Sequence, residues 1–523
     1  MLDQRVNRTT ERADKLFPLL VPFGFAALGL VLGLFLVTVA GVLQKHSHRY
    51  AEMIAFASFF IVPVLIAYGW TAFKQAVQTG KTLFKNLYWY HYLWALLFLS
   101  MLTWRKRDIS EIRAEPVDTF AAVRLVTVTV VGCILLYRLF TRRTDWLRSW
   151  FRGIPGTLML FVLAALCSCF WSIYWQWTLY KACEYAVDVA MLAAVLAVIQ
   201  TPDEFKHLFD WTWMWYGILL GMCWLGAALW PDIALTKQME YGESGIGLIP
   251  VQLSGVFPDV SANRVGEYSA LLCCVALARL LPVKGWHRVM KSWYSWMFLA
   301  SFTTMIFAQT RSAILGFGVG VFFIFLFSGR VRLGTVIVVG SVLFIVITGS
   351  GGILYDYLRR GQTPAEMATL TGRIQWWEFA WKKFTDAPLT GFGAWAAGRF
   401  LIMGAIGNNI GSMHSDWVEV LVGTGFAGII PLVATLALGW GNLIRYVRDF
   451  SLSPLERQLA LEAIGVFSVV CTRTIFSTDF TWHCPLSFWI PLGFAEYLRR
   501  RYWATETYRA YPAFATSLGS SRG

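Results

Sequence analysis

Long apolar segments alternate with short polar ones along most of this chain. Since roughly 20 residues cross the hydrocarbon core of a bilayer, these segments predict about fourteen membrane-spanning helices. The apolar runs are continuous and do not alternate residue by residue, which excludes a transmembrane β-barrel. The predicted spans are Leu16–Leu43, Ala51–Phe73, Leu87–Trp104, Thr119–Phe140, Ile154–Trp175, Leu179–Ile199, Leu208–Trp230, Val265–Leu281, Ser292–Ala308, Ser312–Ser328, Gly334–Thr348, Trp417–Trp440, Leu459–Phe476 and Pro485–Tyr497. We therefore expect an all-α polytopic integral membrane protein with about 12–14 transmembrane helices.

Composition and charge agree with this class. Hydrophobic residues make up 57% of the chain and charged residues 15%, against about 25% charged in soluble domains. The net charge is +14, but the basic residues lie in short loops between spans. There they orient helices and face anionic lipid, so we expect membrane lipids as partners and no nucleic acid.

Counting Lys and Arg in alternate loops places the N-terminus on the cytoplasmic side. The loop with Arg105, Lys106, Arg107 and Arg113 is the exception to this scheme. Three polar segments then face outward, with Arg311 beside them: Pro231–Arg264, Gly351–His414 and Ser477–Cys484. Eight of the nine cysteines lie in apolar runs, and Cys484 is expected to face the outer compartment.

The longest polar segment has helix signals of its own. Thr363, Pro364 and Glu366 form a capping box with a first-turn proline, so a helix should start there. A second helix should begin near Gly372, with an apolar stripe of Ile374, Trp377, Trp381 and Phe384 lying along the membrane surface. Glu378 and Lys382 are expected to pair on its other face. Turn residues Asp386–Gly393 then end it.

Charged residues inside predicted spans are expensive and need partners. Lys181, Glu184 and Asp188 follow spacings of three and four, which places them on one helical face. We expect an ion pair between Lys181 and Glu184, with the role of Asp188 open. A flippase or transporter is an alternative function for such a row of charges, but no inverted repeat is visible.

Four loosely defined motifs occur in order in the second half of the chain: SGVFPDVSANRVGE at Ser254–Glu267, QTRSAIL at Gln309–Leu315, TGRIQWWEFAWKKFTDAPLTGFG at Thr371–Gly393 and MHSDWVEVLVGTGFAG at Met413–Gly428. In this order the chain resembles the O-antigen ligase and polymerase family of bacterial envelope glycosyltransferases, over roughly Phe161–Arg500. Trp171–Ala186 is similar to an earlier part of the family, with aromatic residues in place of a proline often seen there.

The resemblance implies a fold similar to the C-type glycosyltransferases in the bacterial inner membrane. It further implies transfer of a glycan from undecaprenyl diphosphate to an acceptor hydroxyl at the periplasmic face, with inversion. By match of motif, His414 is the catalytic base, and Arg311 and Arg373 bind the donor diphosphate. Arg264 is a second-tier candidate for phosphate, and Asp416 and Glu419 are candidates for orienting the imidazole or holding the acceptor.

No paired aspartates of the kind that hold a divalent metal and no phosphate-binding glycine loop occur, so we expect no cofactor and no metal. The acceptor is lipid A core for a ligase, which we favour, or another lipid-linked glycan for a polymerase; a protein hydroxyl is a third alternative. We divide the chain into N-terminal helices at 1–153, a ligase/polymerase-like membrane domain at 154–500 with a periplasmic loop at 351–414, and a cytoplasmic tail at 501–523. The N-terminal helices are left with two roles, support of the core or binding of a chain-length regulator.

Overall fold

The computed structural model describes residues 68–102, 104, 111, 115, 117–142, 150–237, 249, 251–347, 351–360, 362–370, 372–406, 412–449 and 452–510. The predicted span Leu16–Leu43, most of Ala51–Phe73, the exceptional basic loop residues and the end of the predicted tail lie outside these residues.

The described chain is mainly helical. Its main helices are α1 (68–85), α2 (Trp89–Met101), α3 (Thr119–Arg142), α4 (Gly153–Cys167), α5 (Trp175–Val198), α6 (Pro202–Leu229), α7 (Pro231–Ala234), α8 (Ala262–Leu280), α9 (Trp286–Lys291), α10 (Trp293–Ala308), α11 (Arg311–Phe327), α12 (Val331–Ile347), α13 (Gly351–Arg359), α14 (Pro364–Ala368), α15 (Arg373–Asp386), α16 (Asp416–Val447), α17 (Pro454–Arg473) and α18 (Leu486–Ala510). A 3₁₀ turn (Ser168–Trp171) extends α4, and a π-helix (Ala397–Ile402) with one further helical turn (Met403–Ala405) lies between α15 and α16.

Each predicted span that falls on described residues is helical. Four helical segments are long and apolar enough to cross a membrane by length and composition: Thr119–Thr141, Gly153–Trp171, Pro202–Leu229 and Asp416–Val447. The all-α integral membrane class is therefore confirmed at this level. Helix α18 runs continuously through the boundary predicted at residue 500, so the first part of the predicted tail extends a helix.

A short hairpin interrupts the helical pattern. Strands β1 (Leu235–Lys237) and β2 (Val251–Leu253) pair antiparallel, with Leu235 opposite Leu253. Gln309, in a left-handed conformation at the end of α10, donates from Nε2 to the carbonyl oxygens of Ile249 (3.2 Å) and Val251 (2.5 Å). This contact ties the segment between α7 and α8 to the start of α11.

Two groups of helices share one core. Helix α8 packs against α10, α11 and α17, while α16 packs against α4 and α18 and joins α17. Buried Phe467, Phe488 and Trp489 lie in the shared core. Helix α15 packs on α16, which places the polar segment predicted to carry chemistry at one end of this core.

The predicted ion pair between Lys181 and Glu184 is confirmed. Lys181 Nζ lies 2.7 Å from Glu184 Oε2, and Arg124 of α3 binds the same carboxylate at 2.6 Å through Nε. Asp188 accepts hydrogen bonds from the Cys484 backbone N–H (2.7 Å) and pairs with His483 Nδ1 (3.2 Å). The expectation that Cys484 faces the outer compartment is wrong, because the residue is buried between these elements.

Candidate functional site

Two glycine-rich motifs interlock beneath the site. Backbone N–H groups of Phe392 and Gly393 donate to the carbonyl oxygens of Val422 and Gly423 at 2.9 Å. Gly425 adopts φ +59°, and an added Cβ there would lie 2.4 Å from the Pro388 carbonyl oxygen. Only glycine fits this close approach in a left-handed conformation. The break it makes in α16 lets that helix pair with the 388–393 segment, which fixes α15 against α16.

Helix α15 places two side chains of the site on one face. Its first residue is Arg373, and Trp376 follows one turn later. Arg373 Nη1 donates to the Phe476 carbonyl oxygen at 2.9 Å, and the Trp376 ring stacks on the His414 imidazole with 6.3 Å between centroids. The buried stripe is Trp376, Ala380 and Phe384. The predicted stripe is thus wrong in part, because Trp381 is 59% exposed. The predicted pair between Glu378 and Lys382 is not formed, and Lys383 pairs with Asp386 instead.

The backbone before His414 is clamped from two sides. Met413 N–H donates to Glu419 Oε1 at 2.7 Å, and the Met413 carbonyl oxygen accepts from Trp377 Nε1 at 3.0 Å. His414 itself adopts φ +52°, a left-handed conformation that costs a side-chain-bearing residue on the order of 1–3 kcal/mol. Glu419 therefore acts on the peptide that presents His414, and its carboxylate is buried away from open solvent.

Asp416 holds a different segment. Its carboxylate accepts hydrogen bonds from the backbone N–H groups of Asp479, Phe480 and Thr481, at 2.6, 2.7 and 3.1 Å, and from the Thr481 hydroxyl at 2.5 Å. Its own N–H donates to the Thr474 and Ser477 carbonyl oxygens at 3.1 Å. Asp416 thus fixes the turn after α17, and no hydrogen bond among the described residues joins it to the His414 imidazole.

A charge-balanced cluster lies between this turn and α8. Arg264 Nη1 lies 2.8 Å from Glu267 Oε2 and 2.5 Å from Asp479 Oδ1, and its Nη2 donates to the Thr478 carbonyl oxygen. Arg473, fully buried, approaches the same two carboxylates at 3.2 and 3.3 Å. Buried charges need such partners to offset their desolvation. The hydrogen bonds of Arg264 are therefore largely directed into the protein.

Removing one carboxylate of the cluster should destabilise the protein strongly. For Asp479→Asn we expect a loss of about 3–5 kcal/mol in the free energy of unfolding, because two buried guanidinium groups lose a shared partner. Thermal unfolding of the purified protein in detergent measures the effect. Asp386→Asn is the matched control, since its pair with Lys383 is exposed and should contribute less than about 0.5 kcal/mol. Equal melting temperatures for the two variants would contradict this account.

Arg311 lies at the start of α11 and donates from Nη2 to Gln362 Oε1 at 2.9 Å. The adjacent Ser312 hydroxyl is 3.2 Å from Arg473 Nη1, so α11 begins at the edge of the charge cluster. The structure brings Arg373 and Arg264 close enough for their charges to act on His414, together with Arg473. Arg311 is not among the charges that act on the imidazole.

His414 is neutral at physiological pH. Burial, followed by the positive charges of Arg373, Arg264 and Arg473, lowers the pKa of its imidazole to about 4. A neutral imidazole can accept a proton. The site therefore combines an unprotonated histidine with arginine side chains on the same end of the helical core.

The sequence analysis does not identify Arg473, which lies inside the predicted span Leu459–Phe476. A charged residue in an apolar run signals a buried partner or a functional site. Of its partners, Asp479 lies six residues away in the chain, but Glu267 lies more than 200 residues away, so spacing alone does not reveal the cluster.

Residues 296–433 match the family described as O-antigen ligase. The matched segment contains Arg311, Arg373, His414, Asp416 and Glu419, while Arg264 and Arg473 lie outside it. Among curated proteins, none matches the chain significantly. The resemblance to O-antigen ligases is therefore confirmed over these residues.

Proposed function

We propose, on the basis of the O-antigen ligase match at residues 296–433, that the protein is a membrane glycosyltransferase. It moves a glycan from undecaprenyl diphosphate to a hydroxyl of an acceptor, lipid A core, at the periplasmic face of the inner membrane. The observation that carries the proposal is a neutral His414 close to Arg373. General base and anion-binding groups are the two elements that this transfer needs.

The leaving group is a lipid diphosphate, whose negative charge grows as the glycosidic bond breaks. Arg373 and Arg311 begin α15 and α11, and both have fork-shaped guanidinium groups suited to bidentate phosphate contacts. The hydrogen bonds of Arg264 and Arg473 are already used to hold Glu267 and Asp479. These two arginines therefore contribute through their charge and not through direct contacts with the diphosphate. Arginine stabilisation of the departing diphosphate lowers the barrier without a metal ion.

His414 takes the proton of the acceptor hydroxyl as its oxygen attacks the anomeric carbon. Direct displacement from the face opposite the diphosphate inverts the configuration at that carbon. Glu419 and Trp377 fix the Met413 peptide, and stacking on Trp376 fixes the ring. Correct positioning of the imidazole contributes more to the rate than high basicity would, because a base held in place does not have to be found by diffusion.

The pH dependence should differ between the free enzyme and its donor complex. In the free enzyme burial, followed by the positive charges of Arg373, Arg264 and Arg473, lowers the pKa of His414 to about 4, so kcat/KM should fall only below about pH 4. A bound diphosphate offsets their positive charge, which raises the imidazole pKa towards its ordinary value of about 6.5. The acid limb of kcat should therefore lie at higher pH than that of kcat/KM. If the acid limbs of kcat and kcat/KM both lay near pH 6.5, the proposed effect of burial and of the arginine charges on the pKa of His414 would be contradicted.

Expression in a ligase-null host separates the acceptors. Capping of lipid A core with long glycan chains, seen as a ladder on gels of extracted lipopolysaccharide, is the expected result. Uncapped core with long chains on the carrier lipid would assign a polymerase, and glycan on a protein band would assign a protein oligosaccharyltransferase. Movement of the lipid-linked sugar across vesicles without transfer would assign a flippase. The carboxylate of Glu184 is paired with both Lys181 and Arg124, which weighs against a row of unpaired charges along a transport path.

A further inference from the structure

A cavity lies between α2, α3 and α5. Its volume is about 990 Å³, at the upper end of the range for small-molecule sites. Its wall is mainly apolar, with Leu96, Phe120, Val123 and Leu179 each more than a third exposed. At about 30 Å³ for a water-sized group, the space holds roughly thirty methylene groups, comparable to two ordinary acyl chains. The cavity is thus suited to lipid tails.

Charged side chains lie on one wall of this cavity. Arg124 and Lys181 share the buried carboxylate of Glu184 at 2.6 and 2.7 Å. Arg399, in the short π-helix Ala397–Ile402, lies over the Trp177 ring at 4.8 Å, and Lys181 lies 5.4 Å from the same ring. Asp118, the other acidic group lining the cavity, caps α3 by accepting from Ala121 N–H. Arg124 and Lys181 are the two cations of this wall, and each has N–H donors beyond those that bind Glu184, which suits an anionic ligand group such as a phosphate.

One wall of the cavity continues into the supports of the candidate site. Tyr174 and Trp177 meet the Phe400 ring edge to face, with 4.8 and 5.8 Å between centroids, and these three side chains pack in the cluster that contains Trp376 and Met413. The cavity therefore adjoins the residues that hold His414.

A hydrogen-bonded chain starts at the opposite wall. The Ser100 hydroxyl lies 2.8 Å from His483 Nε2, and His483 Nδ1 lies 3.2 Å from Asp188 Oδ2. All three side chains are buried. His483 belongs to the turn after α17 that carries Asp479 of the charge cluster, so this wall too is joined to the candidate site.

We propose that this cavity binds the lipid part of the acceptor, an acylated glycolipid that carries phosphate. The inference rests on the proposed transferase function, because a reaction between two lipid-linked substrates needs two lipid sites. The donor diphosphate is assigned to Arg311 and Arg373. The cavity beside Arg124 and Lys181 is therefore available for the acceptor lipid. Helices α2 and α3, from the N-terminal part of the chain, thereby contribute to substrate binding.

The test is photo-crosslinking of the full-length protein in nanodiscs that contain lipid A. Benzoylphenylalanine replaces Phe120, which lines the cavity, or Phe140, which is 80% exposed on the same helix outside it. A lipid A adduct should form at position 120 about tenfold more than at 140. It should fall on removal of the lipid A phosphates and with the cavity-filling change Cys183→Trp. It should persist with Cys133→Trp, whose side chain is exposed on α3 outside the cavity.

Four results would overturn the proposal: no lipid adduct at 120, a phospholipid adduct that excess lipid A does not displace, an adduct with an undecaprenyl diphosphate glycan, and a crosslink to residues 16–43 of the same chain. The readout is binding, so it is separate from transfer. An adduct without glycan transfer would support lipid binding in the cavity and contradict the proposed transferase function. Glycan transfer without an adduct would support the transferase function and contradict lipid binding in the cavity.

Discussion

His414→Ala should lower kcat for glycan transfer by about 10²–10⁴-fold, the usual contribution of a positioned general base. Binding of the undecaprenyl diphosphate donor should change little, because the imidazole is neutral at physiological pH and acts on the acceptor hydroxyl. The measurement is single-turnover transfer by purified protein with the donor saturating. Loss of kcat with retained donor affinity is the pattern expected when an interaction of the transition state is removed.

His287→Ala is the matched control for this substitution. His287 contacts Tyr68, 3.2 Å away, and belongs to the short helix α9, outside the candidate site. Its removal should leave kcat within about twofold of the wild type. Full activity in His414→Ala, in protein with an unchanged melting temperature, would show that another group takes the proton.

Arg373→Lys should reduce kcat/KM by about 10²–10³-fold, the range seen when one donor to a developing oxyanion is removed. Lysine keeps the positive charge but not the planar fork, so it replaces two parallel hydrogen bonds with one point charge. Arg373 also donates to the Phe476 carbonyl oxygen at 2.9 Å, which a shorter ammonium head does not reproduce from the same position. Initial rates over a range of donor concentrations give the effect.

Arg332→Lys provides the control, because Arg332 is exposed on α12. We expect Arg311→Lys to lower kcat/KM as Arg373→Lys does. Its melting temperature should match that of the wild type, since the bond to Gln362 at 2.9 Å is the one hydrogen bond found for the Arg311 side chain among the described residues. A loss of activity that follows the melting temperature in both arginine variants would assign these residues to folding rather than to the diphosphate.

Local sequence signals predicted the helices of the site well. The Thr363–Glu366 capping box starts α14, with Thr363 N–H donating to Glu366 Oε2 at 2.7 Å. Helix α15 begins at Arg373, directly after Gly372. Such signals depend on residues within one turn of each other, so they survive whatever the tertiary environment is. The Lys181–Glu184 pair was predictable for the same reason.

Contacts between distant segments were not predictable in this way. The roles of Asp416 and Glu419 depend on which backbone N–H groups come near their carboxylates, and those of Asp416 belong to residues 479–481. Likewise the buried face of α15 follows its packing on α16, which selected Trp376 rather than Trp381. Amphipathic spacing gives several related stripes in a tryptophan-rich helix, and tertiary packing decides between them.

The most direct test of the transferase assignment is the product formed by purified wild-type protein in nanodiscs with undecaprenyl diphosphate oligosaccharide, lipid A core and EDTA. Mass spectrometry and nuclear magnetic resonance of the product report transfer and anomeric configuration together. The account predicts glycan-capped lipid A core with inverted configuration at the transferred sugar and undiminished yield in EDTA. Retained configuration, or a product that requires added divalent metal, would contradict direct attack assisted by His414 and the arginine side chains.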